Sequence, residues 1–437
     1  MKLQKLLVQG LLWRGLYFVS VMLVNVVLSR YLQASATGWV FYISNIFGFI
    51  QLLLGCCLDA GITFFASGQI IAHRKLVWFA SLWSFGVTIV SFAGGYIFFH
   101  LNDSFADADQ HQYFFFGICY ITGFTLTNTA TVLFYTKNNF YLPNIILIIL
   151  NLALIIIIPK TIVAASDAYA GKILYTYFFF FLLQGILLML SFATKYKAVN
   201  KFDFPSSIET KNLIRFSLIA LAANVIFYLE YRIDYWFVHR SPVCTDGDLG
   251  NYIQVSKLGQ MMLVLPQIIA SVVYPQSASG INRKELNKTV MIISRLFSQL
   301  FLIIFVVIFF TGHWFFITVF GETFNKMQVP FLIIIPGIFS LSVLSLLSAY
   351  FSGKGNLGVN VRGAAIALIV MMAGNYFLVP MYGIIAAAAV STCCYSLNAA
   401  YSLRQFYKDY DVNLFDFFKW RRSDYSWLLS LLKNENE

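Results

Sequence analysis

The sequence predicts an all-α polytopic membrane protein with twelve transmembrane helices in two six-helix lobes. Three observations carry this reading. Of the 437 residues, 59% are hydrophobic and only 11% charged, whereas a soluble domain averages roughly 25% charged. Mean hydropathy is +0.74. Apolar runs of about 18 residues or more, the length that spans a bilayer, recur from end to end. Runs of that length without period-two alternation argue against an outer-membrane barrel.

The first run follows Lys2 and Lys5 and precedes Ala34-Ser35-Ala36, so it imitates a signal peptide. It exceeds twenty residues and holds Arg14 and Asn25. A signal core is roughly 7–15 uninterrupted apolar residues, so this run reads as the first membrane helix. The spans lie near 8–29, 38–66, 76–99, 113–136, 142–163, 173–194, 212–239, 249–275, 287–310, 327–351, 360–379 and 383–406. Pro266 in the eighth and Pro336 in the tenth remove a backbone donor and predict kinks. Gly363-Ala364-Ala365 and Ala386 to Ala389 predict close packing of the last two spans.

Twelve spans place both termini on one side. Arg74, Lys75, Lys137, the lysines of 195–211, Arg283, Lys284, Lys354, Arg362, Lys419, Arg421 and Arg422 fall there. The opposite loops hold Asp103, Asp107, Asp109, Asp246 and Asp248 with few cations. A basic split of roughly four to one puts both termini in the cytoplasm by the positive-inside rule. The same rule explains the net charge of +11 without nucleic acid, for which the chain has no basic-aromatic module.

The longest loop, 196–211 with Pro205, is a basic cytoplasmic linker that separates a lobe at 1–195 from a lobe at 212–408. Residues 409–437 form a tail carrying Phe415, Phe417, Phe418, Trp420 and Trp427 among arginines, suited to lie along headgroups as an amphipathic segment. The lobes echo one another. Gly38 and Ser44 open the second span as Gly250 and Ser256 open the eighth. Six spans per lobe give parallel repeats about an axis along the membrane normal, an arrangement that places substrate between the halves.

Charge inside the spans is the functional signal, because an ionised side chain at bilayer depth costs several kcal/mol unless it meets water, a partner or a ligand. The seventh span carries Glu230, Arg232 and Asp234, and the eighth Lys257 and Gln260. At 1.5 Å per residue, Arg232 and Lys257 both lie roughly 12 Å below the outer surface. Glu230 and Asp234, four apart, share a helical face from which Arg232 points away. The bland expectation pairs a carboxylate with Lys257 across the hairpin; the functional one sets Arg232 and Lys257 on an anionic ligand. A structural carboxylate can also hold a cation that meets substrate phosphate. In the first lobe Arg14 and Asp59 lie at comparable depth and are expected to pair. Arg295 in the ninth span is expected to snorkel to the cytoplasmic surface. Thr125, Thr127, Asn128, Thr129 and Thr131 form a polar stripe on the fourth span. Six cysteines and five histidines show no zinc, haem or redox spacing, and no cofactor is called for.

Four stretches resemble the bacterial polysaccharide (O-antigen-type) flippases of the multidrug/oligosaccharidyl-lipid/polysaccharide exporter superfamily. They are Ser29-Arg30-Tyr31-Leu32 followed by Gly38; Asp59-Ala60-Gly61-Ile62; Gly250-Asn251-Tyr252 with Lys257, Pro266 and Pro275; and Pro380-Met381-Tyr382-Gly383-Ile384 followed by Ala386-Ala387-Ala388. The family usually has glycine where Ala386 stands. The resemblance implies alternating access around a cationic cavity that carries undecaprenyl-diphosphate-linked oligosaccharide to the outer leaflet of the inner membrane. It implies cavity roles for Arg232 and Lys257, an acidic role for Asp234, and a weaker match at Arg14. Proton or sodium coupling is common in the superfamily, and no residue here singles out the ion. The alternatives are a multidrug exporter, which would want an acidic cavity, a glycosyl polymerase or ligase, which would want a large external loop, and a scaffold with no substrate.

Overall fold

The computed structural model describes residues 3–67, 69–100, 107–163, 169–196, 202–279, 283–409, 421 and 424–425. The first seven helices are α1 (Leu3–Gly55), α2 (Leu58–Ser67), α3 (His73–His100), α4 (Asp107–Thr136), α5 (Tyr141–Val163), α6 (Tyr169–Tyr196) and α7 (Ser207–Arg240). Then come α8 (Asp246–Met262), α9 (Val264–Ser279), α10 (Arg283–Phe320), α11 (Gln328–Gly353) and α12 (Leu357–Asp409). A 3-10 turn, Glu322–Phe324, precedes α11. No strand occurs among the described residues.

Ten helical segments among these residues are long and apolar enough to cross a membrane. Two of them, Leu12–Gly55 and Leu357–Lys408, run to 44 and 52 residues, about twice the roughly 20 residues one crossing needs. Each contains a residue with non-helical backbone, Gln33 (φ 61°) in α1 and Gly383 (φ 58°) in α12. Each therefore holds two crossings, which recovers the twelve expected. The chain is a multi-pass, all-α membrane protein.

Local chemistry sets the element ends. Ser206 Oγ accepts from the Glu209 amide (3.3 Å) and the Glu209 carboxylate from the Ser206 amide (2.6 Å), a capping box. It starts α7 at Ser207 rather than at 212. Thr245 and Asp248 make the same box and start α8 at Asp246 rather than at 249. Pro266 has no amide hydrogen to offer the Met262 carbonyl, and the helix breaks at Leu263 between α8 and α9. At Pro336 α11 runs on without interruption. In the turn beside that proline, Thr392 of α12 donates to the Ile333 carbonyl at 2.6 Å.

The chain divides into two compact units. The first comprises Met1–Gln33 and Trp39–Tyr228. Its core gathers Ile62, Leu133, Phe134, Leu188, Phe192 and Leu213. The start of α3 is tied to the end of the linker by Arg74–Asp203 (3.3 Å) and Lys75–Glu209 (3.0 Å). These pairs are part-exposed, so each contributes under about 1 kcal/mol. Lys197 and Lys201 of the linker lie outside the described residues.

The second unit comprises Ala34–Gly38 and Leu229–Glu437. Ala34–Gly38 is a short strap: the Ala34 amide donates to Thr323 Oγ1 at 3.0 Å, and Gly38 lies backbone to backbone on Gly250. A Cβ at Gly250 would stand 1.9 Å from the Ala34 carbonyl oxygen, and one at Gly38 2.5 Å from the Gly250 nitrogen. These are the two glycines matched as repeat equivalents in the sequence. Gly250→Ala is expected to cost about 1–3 kcal/mol by overpacking, read as a lowered thermal midpoint in detergent. An unchanged midpoint would mean that the strap yields freely.

Arg295 does not snorkel. Its side chain is 5% exposed and forms a two-point ion pair with Asp424, Nε to Oδ2 at 2.8 Å and Nη2 to Oδ1 at 2.9 Å. Tyr425 adds a hydroxyl bond to Gln299, one turn along α10. This part of the tail docks on α10, where the sequence favoured a segment along the headgroups. Phe415, Phe417, Phe418, Trp420 and Trp427 lie outside the described residues.

Candidate functional site

The segment Glu230-Tyr231-Arg232-Ile233-Asp234-Tyr235 sits in α7, and helical spacing separates its charges onto two faces. Glu230 and Asp234 are fully buried and turn toward the second half of α12. Asn398 donates to both oxygens of Glu230 (3.0 and 3.3 Å). Asp234 accepts from the Tyr252 hydroxyl (2.5 Å), the Ser391 hydroxyl (3.2 Å) and the Tyr235 amide (2.9 Å). Ser391 and Asn398, seven apart, occupy one face of α12 and run antiparallel to the acidic pair. The small-residue stretch makes this possible: a Cβ at Gly363 would stand 2.4 Å from Asn398 Oδ1.

Arg232 belongs to a closed ring of hydrogen bonds with α8. It donates to Gln260 Oε1 (2.6 Å) and to the Tyr235 hydroxyl (2.7 Å). Tyr235 donates to Ser256 Oγ (2.8 Å), and Gln260 Nε2 donates to the same oxygen (3.2 Å). The ring holds the guanidinium in one place between the two helices. Lys257 is half-buried on α8, next to Ser256 in sequence and three residues before Gln260.

The structure thus joins Arg232 to Gln260, three residues from Lys257 on α8, while Glu230 and Asp234 bond to other partners. Neither Glu230 nor Asp234 forms an ion pair with Lys257, so the bland pairing across the hairpin is not made. Neutral donors hold the carboxylates instead. Arg14 and Asp59 do not meet either. Arg14 is exposed, with its guanidinium 5.9 Å from the Tyr135 ring, and Asp59 lines a separate cavity. The reason is a break between α1 and α2. Cys56 (φ 49°) and Cys57 (φ 50°) are consecutive left-handed residues, so counting depth along one regular helix misplaces Asp59.

Sequence reasoning missed Tyr235, Ser391 and Asn398, and it noted Tyr252 and Ser256 only as motif and repeat residues, without a place in the site. A signal existed for two of them, since Ser391 and Asn398 are polar residues at helical spacing within a run of small apolar ones. Tyr252→Phe is expected to destabilise by about 1–3 kcal/mol, because it removes a donor from a buried carboxylate. The thermal midpoint reads this; no change would show that Ser391 and the Tyr235 amide suffice for Asp234.

No family model and no curated protein matches the sequence. Solved structures do. A lipid II flippase MurJ structure in the inward closed conformation aligns at TM-score 0.65 and 15% identity, covering 93% of this chain and 89% of that one. A mutant of the Vibrio cholerae MATE transporter VcmN aligns at TM-score 0.67 and 14% identity, covering 95% and 98%. A MOP superfamily transporter from Pyrococcus furiosus, whose binding pocket is described as reversed in polarity, aligns at 0.64 and 12%, covering 92% and 94%. The fold is that of the MOP superfamily transporters. Flippase and exporter share this MOP-type architecture and match the chain about equally, so its geometry must separate the two readings.

Proposed function

We propose that this chain is a lipid-linked oligosaccharide flippase. It carries an undecaprenyl-diphosphate-linked repeat unit of a surface polysaccharide from the cytoplasmic to the outer leaflet of a bacterial inner membrane. Both termini are cytoplasmic and the transport is coupled to a proton or sodium gradient. One observation supports this above the rest. Arg232 of α7 is hydrogen-bonded to Gln260 of α8, three residues from Lys257, while neutral donors hold the carboxylates of the same helix. A cation at bilayer depth is costly, and an anion offsets that cost with charge-assisted hydrogen bonds.

A diphosphate-sugar headgroup cannot cross about 30 Å of hydrocarbon unaided. Arg232, fixed by Tyr235 and Gln260, offers a planar donor set to one phosphate, and Lys257 offers a point charge to its neighbour. Lobe motion then exposes the headgroup on the other side. No bond is made or broken. An exporter of organic cations would need the acidic face turned to its substrate, and Asp234 and Glu230 are committed elsewhere.

The test is reconstitution in vesicles with a fluorescent undecaprenyl-diphosphate oligosaccharide, scoring its arrival in the leaflet exposed to an impermeant quencher. Movement of the lipid diphosphate is expected. A chain that moves a cationic dye and leaves the lipid diphosphate where it was would overturn the proposal in favour of the exporter.

A further inference from the structure

The second unit carries a groove of about 440 Å³ where three turns of the chain meet. Val243 and Cys244 belong to the turn between α7 and α8, Lys326 to the turn before α11, and Met381 to Ile385 to the break in α12. These turns follow the seventh, ninth and eleventh crossings, so they share one face of the membrane. The walls are apolar and open: Val243, Val329, Met381, Tyr382 and Ile385 are each about half exposed or more. Two charged side chains complete the lining. Lys326 Nζ donates to Asp248 Oδ1 at 2.7 Å, and the lysine side chain is 59% exposed against 9% for the aspartate. Both are held from behind. The Thr245 amide and hydroxyl donate to Asp248 Oδ2 (2.9 and 2.8 Å), and the Lys326 amide donates to Asn251 Oδ1 (3.1 Å). At the break, Gly383 (φ 58°) turns α12 against Cys244, and a Cβ there would stand 3.1 Å from the cysteine sulfur.

We propose that this groove binds one phospholipid whose headgroup carries both a phosphate and a primary ammonium, phosphatidylethanolamine. The lining selects each part. Open apolar walls at the ends of membrane crossings suit the upper acyl chains, and a tyrosine such as Tyr382 belongs at headgroup level. The volume falls within the roughly 300–1,000 Å³ of small-molecule sites, so the groove takes the head and leaves the tails in the bilayer. Lys326 keeps two N–H donors after its bond to Asp248 and offers them to the phosphate as charge-assisted hydrogen bonds. Asp248 has about four acceptor positions; Lys326 and Thr245 fill three of them, and the last takes an N–H of the ammonium. Charge then decides among amphiphiles. The Lys326–Asp248 pair is neutral, and so is this headgroup. An anionic headgroup brings a net charge that the pair does not balance, a choline headgroup has no N–H for Asp248, and a cationic amphiphile meets Lys326 as a repelling charge.

Which cargo the chain moves does not enter here, so lipid binding and transport can each fail alone. The full chain, purified in detergent and stripped of lipid, is titrated separately with phosphatidylethanolamine, phosphatidylcholine and phosphatidylglycerol, and uptake is read by native mass spectrometry. Wild type is expected to take up one phosphatidylethanolamine saturably, about fivefold or more tighter than either of the others. Lys326→Ala should weaken that uptake about tenfold or more, the loss of one charge-assisted contact. Asp248→Asn should bring phosphatidylethanolamine and phosphatidylcholine to within about twofold of each other. Lys354→Ala, at the opposite end of α11, should keep wild-type affinity. Equal affinity for the three lipids in wild type, a preference for phosphatidylglycerol, or undiminished uptake in Lys326→Ala would overturn the proposal. So would a loss in Lys354→Ala as large as that in Lys326→Ala. If Asp248→Asn does not fold, Val329→Trp fills the groove from an exposed wall and should abolish uptake; wild-type uptake in that variant overturns the proposal equally.

Discussion

Arg232→Ala and Lys257→Ala are each expected to cut movement of a lipid diphosphate by one to two orders of magnitude while leaving the protein folded. The size follows from the interaction removed. A hydrogen bond to a charged group is worth about 1.5–3 kcal/mol, and each 1.4 kcal/mol is about a factor of ten. The fold should survive because neither residue forms an ion pair with Glu230 or Asp234, whose partners Tyr252, Ser391 and Asn398 remain in place. Arg232→Lys separates two roles of the arginine. It keeps the charge and loses the planar donor set that bonds Gln260 and Tyr235 together, so it should recover only part of the rate. Transport in vesicles, normalised to folded protein by size exclusion, is the measurement. Wild-type rates in both alanine variants would remove these cations from the site.

Asp424→Ala is expected to destabilise the protein by about 3–5 kcal/mol, the range found when one partner of a buried ion pair is deleted and the other stays behind. Arg295 and Asp424 are only 5% and 1% exposed, and they meet at two points. Loss of Asp424 would therefore leave a buried guanidinium on α10 without its ion pair. The double variant Arg295→Met, Asp424→Leu should regain most of the loss, because replacing both charges removes the desolvation burden as well as the attraction. Thermal or denaturant unfolding in detergent reads both. A loss below about 1 kcal/mol in Asp424→Ala would place the arginine head in water and the tail off the helix.

The residues that could be read in advance are those whose signal is one-dimensional. Twelve crossings follow from run length, and the break near Pro266 follows from a missing amide hydrogen. That Arg232 points away from Glu230 and Asp234 follows from 3.6 residues per turn. The cap residues were legible too, had Ser206 with Glu209 and Thr245 with Asp248 been weighed as capping boxes. The partners of the charges were not legible. Asp424 is 129 positions from Arg295, and Asn398 is 168 from Glu230; nothing in either local stretch announces the other. The expected Arg14–Asp59 pair failed for a related reason. Two left-handed cysteines interrupt the second crossing without the glycine or proline at those positions that would mark such a turn.

By itself the sequence determined that this chain crosses a membrane many times, and it placed cations within the seventh and eighth of its apolar runs. Hydropathy and helical period act between near neighbours, so they are written locally. Only the tertiary structure decided that Asp234 and Glu230 are held by α12, that Arg232 is fixed by Gln260 and Tyr235, and that Arg295 is neutralised by the tail. Those outcomes depend on which helices lie side by side, and a low-dielectric interior makes each such contact count for far more than any residue's own preference.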